Sequence, residues 1–199
     1  MATSRANKSI SDFKSALIGG GARPNLFEVE LTTLPDGVSG WDAEIFRFMC
    51  KGASLPPQTI ASIDVPFRGR IFKVAGDRTI DPWTVTVIND QSFNIRDAME
   101  QWSNSINDLQ FDGGITNPAG YQTDAFVTQL GRTTGDGSGK LSSGTDNMTQ
   151  LRQYKFFGIY PSVVSSIPLD YGSTDAIEEF QVTFNYIYWT VESGSNITG

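Results

Sequence analysis

Apolar residues recur with period two through most of the chain, and two stretches switch to the spacing of a helix. Residues 26–31 (LFEVEL) set Phe27, Val29 and Leu31 on one face and Glu28 and Glu30 on the other, which predicts a half-buried strand. Residues 44–51, with Ile45, Phe46, Phe48 and Met49, read as a second strand, and the Pro-Pro segment 52–59 ends it. Residues 60–67 and 70–75 read as a strand pair turned around Arg68-Gly69. The β-branched run 83–89 (WTVTVIN) is another strand, followed later by 121–130, 151–160 and 167–171. The last strand, 178–191, alternates Phe180, Val182, Phe184 and Tyr186 against Gln181, Thr183 and Asn185. Its second half is apolar on both faces, with Tyr188 on one and Ile187, Trp189 and Val191 on the other, so it expects cover on both faces. In a chain of this size the second cover can come from a partner subunit.

The helical spacing is clearest at Ile95, Ala98, Met99, Trp102 and Ile106, with Asn94 as the expected cap and Asp97 in a box-like position. A shorter helix carries Phe13, Ala16 and Leu17 on one face, capped by Ser11 and stopped by Gly19, Gly20 and Gly21. Two turns are unstable alone, so this helix must dock on something. Many strands and one good internal helix predict a mainly β fold: two packed antiparallel sheets forming a sandwich-like barrel with one flanking helix. The stretches 34–43 and 131–150 are rich in turn formers and read as loops, the second as a mobile Gly/Ser-rich insertion.

Composition then narrows the chemistry. The 199 residues contain no histidine and one cysteine, Cys50. That excludes Ser-His-Asp and Cys-His nucleophile systems, an internal disulfide and nearly every zinc site. With 15 basic and 22 acidic residues the net charge is −7, which opposes nonspecific nucleic-acid binding through Lys and Arg. Residues 1–18 are too polar for a secretory signal, and no run reaches the length of a membrane span, so no membrane insertion is expected. The sequons at Asn7, Asn147 and Asn196 therefore read as chance. Gly139-Lys140 lacks the preceding glycine of a phosphate-binding loop, and Gly19, Gly20 and Gly21 lead into Ala22-Arg23-Pro24, which cannot open a helix over a pyrophosphate. Asp108, Asp112 and Asp136 do not have calcium-loop spacing, and Glu178 and Glu179 point to opposite faces of a strand. No enzyme activity, cofactor or metal is expected. A carbohydrate-binding β-sandwich presenting Trp41, Tyr121 or Trp189, and a glycosidase whose acid pair assembles from distant residues, stay open on this basis.

One segment is more tightly specified. Gly76-Asp77-Arg78-Thr79-Ile80-Asp81-Pro82-Trp83 joins two predicted strands. It reads either as a structural turn, with Gly76 giving backbone freedom, Asp77 bonding loop amides and Arg78 pairing with Asp81, or as an assembly contact. Together with Ala22-Arg23-Pro24-Asn25-Leu26-Phe27, the run into Trp83-Thr84-Val85-Thr86-Val87 and Asn89-Asp90, the helix with Trp102, Phe126-Val127, the Gly158 and Pro161 segment and Tyr188-Trp189, the chain resembles the tail tube proteins of T4-like contractile-tailed bacteriophages. The resemblance spans most of 22–190 and departs at 34–43 and 131–150.

That resemblance implies a homo-hexameric ring whose strands join into one inner barrel, with rings stacked into a tube inside a contractile sheath. It implies sheath, baseplate hub or initiator and tail terminator proteins as partners, duplex DNA as passing cargo, and a place in the virion tail after assembly in the host cytoplasm. A tube of a phage-like secretion or injection particle is the near alternative. The resemblance divides the chain into an arm (1–22), a tube domain (23–192) and a flexible tail (193–199). Arg23, Pro24, Asn25, Phe27, Gly76, Asp77, Arg78, Thr79 and Trp83 become assembly positions. Phe13, Leu17, Ile187 and Trp189 become interface candidates, and Glu28 and Glu30 candidates for the lumen. About four strands from each of six subunits give a barrel of about 24 strands, about 45–50 Å across its backbone, wide enough for duplex DNA. A neutral to acidic lumen would let DNA slide without binding.

Overall fold

The computed structural model describes residues 10–17, 21–111, 113–132 and 150–192. Residues before Ile10, residues 18–20 with Gly19 and Gly20, Asp112, nearly all of the 131–150 insertion with Asp136, and the 193–199 tail lie outside the described residues. The chain forms two compact units: Glu28–Val127 with Tyr154–Glu192, and a smaller one of Met1–Phe27, Thr128–Gln153 and Ser193–Gly199.

The elements in order are α1 (Ile10–Ala16), β1 (Phe27–Leu31), α2 (Ala43–Met49), β2 (Cys50–Ala53), β3 (Thr59–Phe67), β4 (Arg70–Thr79), β5 (Trp83–Ile88), α3 (Asn94–Ile106), α4 (Pro118–Tyr121), β6 (Thr123–Leu130), β7 (Gln150–Val164), β8 (Glu179–Asn185) and β9 (Tyr188–Glu192). The fold is mainly β with antiparallel sheets, as the alternation predicts. One sheet has seven strands in the order β1-β6-β7-β8-β5-β2, with β9 also on β7; β3 and β4 form a second, two-stranded sheet. The large sheet ends at β1 and β2 and does not close on itself.

Its core comes from alternate residues. Trp83, Val85 and Val87 of β5 face Phe184, Val182 and Phe180 of β8 in register, and all six are buried. Trp83 stacks on Phe156 at 4.5 Å between ring centroids, and its indole N–H donates to the Ser54 carbonyl at 2.9 Å. The predicted stripe of α3 covers this face: Ile95, Ala98, Met99 and Trp102 are buried, and Trp102 lies 6.0 Å from Phe184. The Trp102 N–H, which would otherwise be stranded, donates to the Tyr121 carbonyl at 2.8 Å.

Five local expectations change. Residues 43–49 are a helix, not a strand, because Asp42 accepts hydrogen bonds from the Glu44 and Ile45 amides at 2.9 and 3.1 Å and Phe46 buries against Trp41. Asn94 is the first residue of α3 rather than its cap; Phe93, with φ 55°, holds the cap position without a side-chain bond. Ser11 likewise sits inside α1. Residues 167–171 form no strand, because Pro168 cannot donate and Asp170 turns the chain by accepting the Gly172 amide at 2.9 Å. The final strand breaks at Tyr186-Ile187: β8 pairs with β5 and β7, whereas β9 pairs with β7 alone. The break is held where the Ile187 amide donates to the Phe157 carbonyl at 3.0 Å.

In the smaller unit, Arg23-Pro24-Asn25-Leu26 is a turn closed by the Leu26 amide on the Arg23 carbonyl at 3.2 Å. The Gln129 side-chain amide donates to the Arg23 and Leu26 carbonyls at 2.7 and 2.6 Å. Pro24, with φ fixed near the turn value, suits that bend.

Candidate subunit interface

The β3–β4 sheet is a hairpin of nine- and ten-residue strands. Its turn is Arg68-Gly69, with φ of 45° and 80°, the left-handed pair that matches strand twist. Register places Ile63 opposite Val74 and Val65 opposite Phe72, so these four and Phe67 share one side. The other side carries Ser62, Asp64 and Pro66 opposite Ala75, Lys73 and Ile71, with Lys73 and Asp64 paired at 3.3 Å. The hairpin is therefore amphipathic, yet its apolar side is open: Phe67 and Phe72 are 65% and 66% exposed. A two-stranded hairpin is marginal by itself, and a contiguous apolar side of this kind marks an interaction surface.

The GDRT segment lies in this hairpin and not in a turn after it. Arg78 pairs with Ile60 and Thr79 with Thr59, as β4. Between Ile60 and Ser62 the register slips, so Gly76 and Asp77 together oppose Ala61 in a bulge. Gly76 is needed there for a different reason from the one expected. Its φ is not positive, but a Cβ would stand 3.1 Å from the Ala61 carbonyl oxygen and 3.2 Å from Ile63. Asp81 does not pair with Arg78; it accepts from the Thr59 hydroxyl at 3.4 Å. Asp77, Arg78 and Thr79 are exposed, while Trp83 is core.

The other sequence candidates are separate from the hairpin. Phe13 of α1 and Leu17 just after it are exposed, as is Ile10 at the start of the helix. Ile187 is exposed, and Trp189 is half-buried, edge-on to Tyr154 at 5.5 Å. Glu28 and Glu30 lie on the solvent side of β1, opposite buried Val29 and Leu31. Arg23, Pro24 and Asn25 are exposed and Phe27 is half-buried. The aromatics of the sugar-binding reading already have ring partners: Trp41 has Phe46, Tyr121 has Tyr160 and Trp189 has Tyr154. Among the described residues no group of three His, Cys, Asp or Glu side chains could hold a metal ion. The one-sided apolar face of the hairpin was present in the alternation of Ile63, Val65 and Phe67, but periodicity does not tell a core face from an interface face.

These features describe a mainly β structural subunit with an exposed apolar hairpin face and, among the described residues, no metal-binding cluster. The chain belongs to the phage tail tube protein family, whose model matches residues 22–192. It is 34% identical over 170 residues to tail tube protein gp19 of Enterobacteria phage T4, covering 84% of this chain and 90% of that protein. The same identity and coverage hold for tail tube protein gp19 of Enterobacteria phage T6. The fold is shared with a chain of the anti-feeding prophage baseplate (TM-score 0.57, 8% identity, 88% of this chain and 98% of that one). It is shared too with a chain of the sheath-tube complex of an extracellular contractile injection system (TM-score 0.51, 13% identity, 96% and 99%). The protein is a structural component of a phage tail, and the role that membership implies is not enzymatic.

Proposed function

We propose that six copies close into a ring and that rings stack into the inner tube of a contractile tail, through which duplex DNA passes into the host. The observation that carries this reading is the amphipathic β3–β4 hairpin, whose open apolar side a second copy would cover. Ring closure also gives partners to the unpaired edges of β1 and β2, which would otherwise invite uncontrolled strand pairing. Asp77, Arg78 and Thr79 are the assembly contacts at the hairpin base, with Arg78 reaching a neighbouring chain. Arg23, Pro24, Asn25 and Phe27 shape the turn that feeds β1, and Gly76 and Trp83 hold the hairpin's root. Phe13, Leu17, Ile187 and Trp189 supply further subunit contacts, and Glu28 and Glu30 face the lumen. The arm, the tube domain of 23–192 and the C-terminal tail keep the division given by the resemblance. Sheath, baseplate hub and terminator proteins are the partners, and assembly takes place in the host cytoplasm.

A second reading, the tube of a phage-like injection particle, draws on the fold shared with such machines. Genes for capsid and genome packaging beside this one would favour the phage tail; their replacement by toxin genes would favour the particle. Electron microscopy of the purified chain at rising concentration tests the tube itself. Rings or tubes of uniform width are expected, and Phe67→Ser with Phe72→Ser should leave folded monomers. Persistent monomers of the unaltered chain that bind glycans would overturn the assembly reading.

A further inference from the structure

Among the described residues of the larger unit, α2 and α3 lie on one face of β5 and β8, and the other face of these two strands carries no helix. Trp102 of α3 packs on Phe184, and α2 packs against β2 and β5. On the opposite side of β5 and β8 stand the uncharged Thr84, Thr86, Gln181, Thr183 and Asn185, with Glu179 at the start of β8 on the same side and the Thr84 and Thr183 hydroxyls 3.1 Å apart. Two cations of the larger unit that reach this face are Lys51 and Lys155. Each is held by a carboxylate: Lys51 pairs with Glu179, and Lys155 lies 3.2 Å from Asp124.

The second pair is built in detail. The Lys155 ammonium sits 4.5 Å from the Phe157 ring centroid and 5.3 Å from that of Phe126. Its stem covers aromatic surface, which gives the lysine a packing role apart from its charge. The other Asp124 oxygen accepts the Gly158 amide at 3.3 Å, which fixes the carboxylate beside the ammonium.

We propose that this bare face lines the bore and that Asp124 and Glu179 mask Lys155 and Lys51 there, so that neither lysine offers a passing polyanion a free cation. The inference rests on the tube reading above. A helix layer about 10 Å thick placed inside the ring would fill much of the bore, so the bare face is the one that leaves a channel. An unpaired lysine repeated around every ring would release counterions from DNA and hold it. A lysine already neutralised by its own carboxylate has little to gain from a phosphate. Glu28 and Glu30 stand on the bare side of β1 and add to its negative potential.

The experiment uses assembled tubes, checked by electron microscopy, and co-sedimentation of a short fluorescent DNA duplex. Unaltered tubes should retain little duplex. Tubes of Asp124→Asn, of Glu179→Gln or of both should retain at least about tenfold more at about 50 mM salt and release it as salt rises. Replacing Lys51 and Lys155 by Met in the double variant should return retention to the original level. Asp36→Asn with Asp97→Asn makes the same charge change away from this face and should have no effect. Retained duplex should resist a nuclease too large to enter the tube. Absence of tubes in the unaltered chain defeats the tube reading itself. Tubes whose unmasked variants retain no extra duplex overturn the masking, and retained duplex that the nuclease degrades overturns the bore assignment.

Discussion

Gly76 passes so close to Ala61 that a Cβ on it would stand 3.1 Å from the Ala61 carbonyl oxygen. Because Gly76 has no positive φ, an alanine there meets no backbone strain, and the unfolded chain alone would favour it by about 0.4–1 kcal/mol. The clash with backbone opposes that gain. Gly76→Ala should destabilise by about 1 kcal/mol net, with faster hydrogen exchange at residues 60–63, and Gly76→Val by more. A more stable Gly76→Ala protein would show that the bulge has room.

Gly158 combines both penalties. Its φ is +63°, and a Cβ would lie 2.7 Å from Ile187 Cδ1. Gly158→Ala should cost about 2–4 kcal/mol in chemical denaturation. Ile187→Ala removes the clash but not the backbone strain, so the double variant should fall short of the sum by about 1 kcal/mol. Strict additivity would mean the two residues do not meet.

Cys50 has its thiol pKa pushed up from 9.0 to about 12, chiefly by burial, with the Gly52 carbonyl acting the other way. The folded state thus favours the neutral thiol. The stability linked to that preference is whole below about pH 9 and is lost between about pH 9 and 12, as the unfolded chain ionises first. Cys50→Ala should flatten that alkaline loss in thermal melts. Tyr186, raised by burial and by Asp81, leaves a residual alkaline slope. In the native protein Cys50 should resist alkylation at pH 8 and react on unfolding.

Asp77→Ala and Arg78→Ala remove exposed side chains at the hairpin root and should change monomer stability by less than about 0.5 kcal/mol. Tube yield by sedimentation should fall well below that of the unaltered chain. Equal loss of stability and tube yield would assign the pair a purely structural role.

Much of the fold is legible in the chain because its strands are half-buried. The alternation of Val29 and Leu31 with Glu28 and Glu30, of Trp83 to Val87 with two threonines, and of Phe180 to Phe184 maps onto buried and open faces. The α3 stripe does the same at helical spacing. What stayed hidden was decided by contacts that periodicity does not record. Residues 43–49 carry apolar side chains in no clean period, and the Asp42 cap decides for helix. Residues 167–171 have strand composition but no neighbour to pair with. The break at Ile187 is held by the Phe157 carbonyl, beside Gly158 with its positive φ, residues far back in the chain.

The sequence by itself determined a mainly β protein without histidine chemistry, and its ordered motifs resemble those of the tail tube family, to which the chain belongs. Local periodicity suffices for the β class, because it records which side of each strand avoids water. Only the tertiary structure decided what the motifs do. It moved Gly76 from a flexible turn to a close contact and showed the hairpin's apolar side open. It also set Asp124 and Glu179 beside lysines far from them in the chain. Those are relations between strands, fixed by register and by the order of the sheet, and no spacing along one strand encodes them.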